Sequence, residues 1–279
     1  MKLIRLLPWT ILLFALGVQA QDSDATANQV REEIDLREPL PEASDQIAEQ
    51  LIATYFKAIG GYDRYMGIRS VRTDATITEG MNEHRATTYI IPPNRIREEI
   101  TVRKLGKDHV TVLGFDGENA WEYDLSVKNP FPEELKGSKK KALREAADFY
   151  GILANWKERG CVVEYLGAVT SRKHKHYLVK LYKPDGHTQY YYFDPKSYLI
   201  TRIGWRENRN GTVVDQDIFP TKYRKFGGLW LPDKYERAME DQVYGTIVVH
   251  NIELNQSLSD DLFTEPKVKE VWIRGKNSK

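Results

Sequence analysis

The segment Tyr190-Tyr191-Tyr192-Phe193 decides the fold class, because its aromatic residues occupy both faces of an extended chain. The segment Tyr244-Gly245-Thr246-Ile247-Val248-Val249 is similar, with apolar residues at both parities. A half-buried antiparallel strand normally has one polar face. Two apolar faces therefore predict that something covers each face: a helix, a curved sheet that encloses a cavity, or a bound ligand or partner.

From Ser70 onward, apolar residues recur with a period of two, and turn residues such as Asp116-Gly117 and Pro184-Asp185-Gly186 separate the runs. No alternation of strands and helices indicates a doubly wound sheet. We predict a mainly β fold built on a strongly curved, unclosed antiparallel sheet of about 11 or 12 strands with helices on its concave face. The strands are expected at about 70–79, 85–91, 95–103, 108–115, 118–124, 161–170, 174–183, 187–194, 198–206, 211–219, 229–239 and 243–254.

Two segments have helical periodicity. The first follows a capping residue at Ser44 or Asp45 and ends at Gly60-Gly61. The second covers residues 138–156 and is amphipathic, with Leu143, Tyr150 and Leu153 on its apolar side. Because this second helix interrupts the strands, it is either a lid over one face of the sheet or a crossover helix that completes the core.

The chain begins with the features of an export signal. Lys2 and Arg5 precede an apolar run that is too short to span a bilayer of about 30 Å, and Ala20 fits a cleavage site. We predict a signal peptide at 1–20, a disordered acidic leader at 21–45, one lipid-binding domain at 46–273 and a tail at 274–279. A secreted, periplasmic protein is the resulting expectation.

The composition excludes several classes. The net charge of +1 argues against general nucleic-acid binding. The single cysteine, Cys161, leaves no internal disulfide to stabilise an exported domain, so stability must come from a packed core. No nucleophile elbow, zinc-protease helix or phosphate-binding loop occurs in the sequence.

Short motifs along nearly the whole domain resemble the LolA/LolB-like superfamily of periplasmic lipoprotein carriers, particularly the outer-membrane lipoprotein-sorting proteins. Each motif is weak alone, and their order and spacing carry the resemblance. They are Tyr55-Phe56-Lys57-Ala58-Ile59-Gly60-Gly61, Ile68-Arg69-Ser70-Val71, Pro93-Asn94-Arg95-Ile96-Arg97, Phe115-Asp116-Gly117-Glu118-Asn119-Ala120-Trp121, the mid-chain helix, Tyr192-Phe193-Asp194-Pro195, Phe226-Gly227-Gly228-Leu229-Trp230-Leu231-Pro232 and the closing Asn255-Gln256-Ser257-Leu258-Ser259-Asp260-Asp261-Leu262-Phe263.

This resemblance implies a non-enzymatic carrier without a cofactor. Acyl chains would enter an apolar cavity between sheet and helices, since each buried methylene contributes about 0.8 kcal/mol. An arginine near Arg95 or Arg97 would close the lid by hydrogen bonds to helix or loop carbonyls. The expected partners are a lipid or an acylated lipoprotein and a membrane-bound donor or acceptor, with the carrier itself monomeric.

The residues that we expect to contact a lipid combine this resemblance with the two-faced strands. They are Tyr89, Ile91, Ile100, Val102, Trp121, Tyr123, Tyr190, Tyr192, Ile247 and Val249, with Leu143, Tyr150 and Leu153 as the lid.

Two other functions stay open at this point. His174 and His176 lie on one face of a predicted strand, and Asp185 and His187 follow at the next turn, so a metal-dependent enzyme is conceivable, although two histidines among Arg172 and Lys173 are more typical of a solvated surface. The second alternative is a non-catalytic module that binds a protein of an envelope export system, for example at a sheet edge.

Overall fold

A computed structural model describes residues 35–127, 131–209 and 211–266. The predicted signal peptide at 1–20, most of the predicted leader and the predicted tail at 274–279 lie outside these ranges. In the described ranges, no helix combines the length and the apolar character that a transmembrane span needs.

The described ranges contain three α-helices and thirteen strands. The helices are α1 (Gln46–Ala58), α2 (Tyr62–Met66) and α3 (Gly137–Ala146). The strands are β1 (Val71–Glu79), β2 (Asn82–Ile91), β3 (Arg95–Lys104), β4 (Lys107–Phe115), β5 (Ala120–Asp124), β6 (Glu133–Leu135), β7 (Val162–Ser171), β8 (His174–Tyr182), β9 (Thr188–Phe193), β10 (Ile200–Arg209), β11 (Thr212–Phe226), β12 (Leu229–Met239) and β13 (Gln242–Leu254). A 3-10 turn, Asp260–Leu262, follows β13.

All thirteen strands belong to one sheet with the order β6-β5-β4-β3-β2-β1-β13-β12-β11-β10-β9-β8-β7. The strand order ends at β6 on one side and at β7 on the other, and these two strands are not paired, so the sheet is not closed. The expected mainly β fold with an unclosed antiparallel sheet is confirmed. One strand more than expected is present, because Glu133–Leu135 pairs with β5 in a segment whose sequence predicts no strand.

The chain forms two compact units. The described part of unit 1 comprises residues 68–151 and 249–266, and that of unit 2 comprises residues 35–67 and 152–248. Strands β1 to β6 and helix α3 belong to unit 1, whereas β7 to β12, α1 and α2 belong to unit 2. Strand β13 contributes to both units.

Helix α1 begins and ends where the sequence predicts. The Asp45 carboxylate accepts a hydrogen bond from the Ile47 N–H at 2.7 Å and so caps the helix. Gly60 follows the helix with φ of +120°, and a Cβ at this position would lie 2.6 Å from the Gly228 carbonyl oxygen. Only glycine permits this approach, which lets the Trp230 N–H donate to the Ile59 carbonyl at 2.7 Å.

Helix α3 is shorter than the predicted helix at 138–156. It ends at Ala146, where the Asp148 carboxylate accepts from the Gly151 N–H at 3.3 Å and Gly151 has φ of +72°. Turns therefore replace the last predicted helical turns, and Tyr150 and Leu153 lie beyond the helix. Leu153 is nevertheless buried, so the apolar pattern correctly indicated burial without specifying the helix end.

The described end of the predicted leader contacts unit 2. The Glu38 N–H donates to the Gly186 carbonyl at 2.8 Å, and the Lys180 ammonium donates to the Glu38 carboxylate at 2.5 Å. The Asp45 N–H donates to the Val163 carbonyl at 2.8 Å. Disorder therefore stays a prediction only for residues 21–34, which lie outside the described ranges.

Candidate functional site

One face of the sheet in unit 1 is apolar and contacts α3. Residues that are directly paired across neighbouring antiparallel strands share a face, so the register defines this surface. Its most apolar row runs across six strands and consists of Val71, Ile90, Ile96, Phe115, Ala120 and Leu135, all buried. Helix α3 contacts β3, β4 and β5 and buries Ala142, Leu143 and Ala146. We call this surface the α3 face.

The α3 face also holds a polar row beside the apolar one. Thr73, Thr88 and Glu98 are each 1 % exposed and occupy successive strands. The Thr88 hydroxyl donates to the Glu98 carboxylate at 3.4 Å, and at the end of this row the Lys139 ammonium of α3 donates to Glu122 at 3.3 Å. The helix thus contacts the sheet through both apolar packing and an ion pair.

Helix α3 has a weak N-terminus. Its N-cap residue, Lys136, makes no side-chain capping bond, and the first turn contains Lys139 but no acidic residue. Lysines at this end of a helix oppose the helix dipole, and a capping side chain would contribute about 0.5–2 kcal/mol. The helix is therefore held mainly by its contacts with the sheet.

The opposite face of unit 1 contains a packed aromatic cluster made of Trp121, Tyr123 and Val112. The Trp121 and Tyr123 rings stack with centroids 5.6 Å apart. The indole lies directly over Gly114, where a Cβ would be only 2.1 Å from the ring. Its Nε1–H donates to the Phe263 carbonyl at 3.1 Å, so the segment after β13 covers the cluster.

Both arginines proposed as lid-closing residues hold this C-terminal segment. Arg97 donates to the Leu262 carbonyl at 3.4 Å, and its guanidinium lies 5.8 Å from the Trp121 ring. Arg95 pairs with Asp260 at 2.5 Å, and its guanidinium lies 5.8 Å from the Phe263 ring. Arg97 thus donates to a carbonyl of the 3-10 turn, and closure of a lid by either arginine stays a prediction.

Unit 2 has its own helix-covered face, which we call the α1 face. Tyr191 and Phe193 of β9 lie on it together with Val163 of β7, and all three are fully buried. The Tyr55 ring of α1 meets the Phe193 ring edge-on at a centroid distance of 5.9 Å. Burial raises the pKa of Tyr55 well above its usual value, which is consistent with a dry contact between helix and sheet.

On the opposite face of unit 2, aromatic rings contact cations. Lys180 lies 5.4 Å from the Tyr190 ring, and Arg202 lies 4.9 Å from the Tyr192 ring. Arg202 also donates to Asp217 through two nitrogens, at 2.6 and 2.9 Å. Burial lowers the pKa of Lys180, but hydrogen bonds to Glu38 and Tyr182 outweigh it and raise the pKa to about 12. These contacts explain how both parities of β9 are covered.

The residues predicted to contact a lipid do not share one face. In unit 1, Ile100 and Val102 lie on the α3 face. In unit 2, Ile247 lies on the α1 face, where it is the cross-strand partner of Tyr235. Val249 is buried in the unit 1 part of β13. The other predicted residues lie on the faces away from α3 and α1: Tyr89, Ile91, Trp121, Tyr123, Tyr190 and Tyr192.

The three predicted lid residues have different positions. Leu143 is buried on α3. The Tyr150 hydroxyl donates to the Ile68 carbonyl at 2.6 Å within unit 1, and Leu153 belongs to unit 2. Only Leu143 is therefore part of a helix that covers a sheet face.

The histidines considered for a metal site do not converge. His176 is buried beside the Tyr192 ring, and burial lowers its pKa, whereas His174 is exposed. His187 pairs with Asp185 at 3.2 Å in the following turn. Within the part of the chain that the structure describes, no group of three or more His, Cys, Asp or Glu residues could hold a metal ion.

Sequence reasoning overlooked a set of buried polar residues on the α1 face. Gln189 and Gln216 are each 1 % exposed, and Arg237 is 3 % exposed. The available signal was a polar residue at the inward parity of an apolar strand, as in Gln189 before Tyr191 and Phe193, and Arg237 between Tyr235 and Met239.

Comparison with solved structures identifies the fold. A DUF1329 family protein from Desulfovibrio piger superimposes with a TM-score of 0.53 at 12 % identity, covering 78 % of this chain and 97 % of that chain. A LolA superfamily protein from Nitrosomonas europaea superimposes with a TM-score of 0.51 at 13 % identity, with the same coverage. No protein-family model and no curated protein sequence matches the chain. Since structural similarity at this identity establishes the fold, the chain has the LolA-like fold.

Proposed function

We propose that this protein is an exported, non-catalytic carrier that binds a lipid or the acyl chains of a lipoprotein. The observation that carries the proposal is an apolar sheet face covered by a helix with a weakly capped end, the α3 face, within a LolA-like fold. On the apolar row of this face acyl chains can replace helix side chains without leaving polar groups unpaired, whereas the Lys139–Glu122 ion pair at its side must open when α3 moves. The proposed location in the cell envelope rests on the export signal predicted at 1–20.

Binding on the α3 face needs reversible movement of α3. Each buried methylene of an acyl chain contributes about 0.8 kcal/mol, so a chain of about a dozen methylenes contributes more than the about 2–5 kcal/mol that one buried Leu side chain contributes. Leu143 is the largest buried side chain on α3, and the neighbouring Arg144 is exposed. Cargo would accordingly exchange when α3 lifts, with the sheet remaining intact.

The test is native mass spectrometry of the mature protein purified gently from its own envelope, followed by lipid extraction. The proposal predicts an adduct with the mass of a phospholipid or an acylated peptide. Leu143→Ser should lower the occupancy after a fixed dilution, because it removes apolar contact from α3, and Arg144→Ser serves as the matched control. Equal retention by Leu143→Ser and the control would remove the α3 face from the proposal.

A bare mass for the wild-type protein would contradict carriage. If a stoichiometric protein partner accompanies the bare mass, the partner-binding module becomes the better explanation. The edge strand β7 is the place to examine in that case, since it has one strand neighbour in the sheet and Leu166 is 40 % exposed.

A further inference from the structure

The α1 face contains buried polar side chains among its apolar residues, and Gln216 is one of them. Gln216 pairs with Trp205 on one side and Met239 on the other, so these side chains share a face. Among the residues that the structure describes, no group donates to or accepts from either polar atom of the Gln216 amide. Buried polar groups in native proteins nearly always have a hydrogen-bond partner, so the Gln216 amide has the capacity to bind a polar ligand.

A second amide lies in the same row. Trp205 pairs with Gln216 of β11, and on β9 Gln189 lies on the same face, next to the Gly204–Tyr190 pair that ends the β9–β10 register. The Gln189 oxygen accepts from the Tyr191 hydroxyl at 2.6 Å, while its nitrogen has no acceptor among the described residues. Two buried amides that retain hydrogen-bonding capacity therefore lie on the same face as the half-buried indole.

Arginines supply positive charge next to this row. Arg237 lies two residues before Met239 on β12 and is diagonal to Gln216 across the strand pair. Its guanidinium is 5.3 Å from the Tyr244 ring, and Tyr244 lies at a β-bulge. Burial lowers the pKa of Arg237, and Tyr244 raises it. An anion that binds next to a buried guanidinium stabilises its charged form.

Arg209 approaches the same place from β10. Its guanidinium donates to the Met239 sulfur at 3.3 Å and pairs with Glu207 at 3.2 Å. Arg237, Arg209 and Glu207 all influence the pKa of Tyr244, which burial raises, so the charged groups surround one ring. Two guanidinium groups and one carboxylate therefore lie around this ring.

We propose that Gln216 and Arg237 form a binding site for an oxyanion, namely the carboxylate or phosphate headgroup of an amphiphile whose apolar part lies on the α1 face. Arg237 donates to the anion, the Gln216 amide completes its hydrogen bonds, and Trp205 and Met239 contact the adjoining carbons, with the Gln189 amide further along the same face. The assignment to an amphiphile rests on the proposed carrier function, whereas the oxyanion site stands without it.

The experiment compares two ligands of equal chain length, oleate and oleyl alcohol, by titration of the full mature chain. We expect the wild-type protein to bind oleate at least about tenfold more tightly than the alcohol, the preference that one charge-assisted contact contributes. Arg237→Met should abolish this preference. Arg206→Met is the matched control, because Arg206 lies on β10, the strand that pairs with the Gln216 strand, is 61 % exposed and occupies the opposite face.

A second variant keeps the proposal testable if Arg237→Met does not fold. Gln216→Glu places a carboxylate diagonal to Arg237, where it mimics the bound anion. We expect this variant to have a higher Tm than the wild type and to lose the preference for oleate. A preference for oleate that persists in either variant would overturn the proposed site.

Titration with inorganic phosphate tests the oxyanion site independently of acyl-chain binding. If neither oleate nor oleyl alcohol binds, carriage of acyl chains fails, and the oxyanion site is then tested by phosphate alone. Phosphate that raises the Tm of the wild type and not of Gln216→Glu supports a site for a free oxyanion. The absence of a phosphate effect on the wild type, together with no oleate preference, would refute the site.

Discussion

Trp121 shows how one residue joins two distant parts of the sequence. Its indole is 1 % exposed, lies on Gly114 and donates to the Phe263 carbonyl. Arg97 reaches the same segment through the Leu262 carbonyl. A residue predicted to contact a lipid is thus already covered by the chain's own C-terminal segment, and its contribution to stability can be measured directly.

Replacing Trp121 by Phe should destabilise the protein by about 1–3 kcal/mol, because the buried Phe263 carbonyl loses its donor. The smaller ring also leaves a void above Gly114, which adds to the cost. Urea denaturation followed by circular dichroism measures the change. Trp230→Phe is the control, since that side chain is 43 % exposed and its loss should change the free energy of unfolding by less than about 0.5 kcal/mol. Equal effects of both substitutions would contradict the buried hydrogen bond.

The sequence predicted which residues belong to a strand, but it did not predict which face of the sheet each of them occupies. Ile100 and Trp121 were predicted to contact the same ligand, yet pairing places Ile100 on the α3 face and Trp121 opposite it. When both parities of a strand are apolar, the hydrophobic pattern carries no information about which face is inward. A shift of the strand register by one residue moves every side chain to the other face.

At the scale of elements, helix α3 illustrates the limits of periodicity. The apolar spacing at 138–156 correctly indicated buried residues as far as Leu153, but the helix ends at Ala146. Asp148 and Gly151 form hydrogen bonds typical of a turn, and such local bonds compete with a helix that tertiary packing does not extend. The Asp45 cap of α1, by contrast, was predictable because capping is local.

Capping α3 should stabilise it locally. Lys136→Ser introduces a capping hydroxyl at the N-cap and should slow hydrogen exchange in α3 by about fivefold, corresponding to about 1 kcal/mol. Hydrogen–deuterium exchange measures this change, and a carrier whose α3 must lift would also release its lipid more slowly. Lys141→Ser, an exposed interior position of the same helix, should not slow the exchange. Identical exchange in the two variants would show that the N-terminus does not limit opening.

For the whole molecule, the proposed carriage predicts a dependence on chain length. If acyl chains leave water for an apolar face, each added methylene should tighten binding by about fourfold, corresponding to about 0.8 kcal/mol, until the face is filled. Titration of the mature protein with saturated alcohols of increasing length measures the slope. An affinity that does not change with chain length would show that the contact with the ligand is not apolar burial.

The sequence by itself determined the strand-rich composition, most strand positions, the capped start of α1 and its end at Gly60-Gly61, because these depend on local periodicity and turn chemistry. Only the tertiary structure decided the pairing of β6 with β5, the faces of Trp121 and Ile100, and the convergence of Gln216 with Arg237 on the α1 face. Those outcomes depend on register between strands and on packing between segments distant in the chain, and neither is encoded in a local pattern.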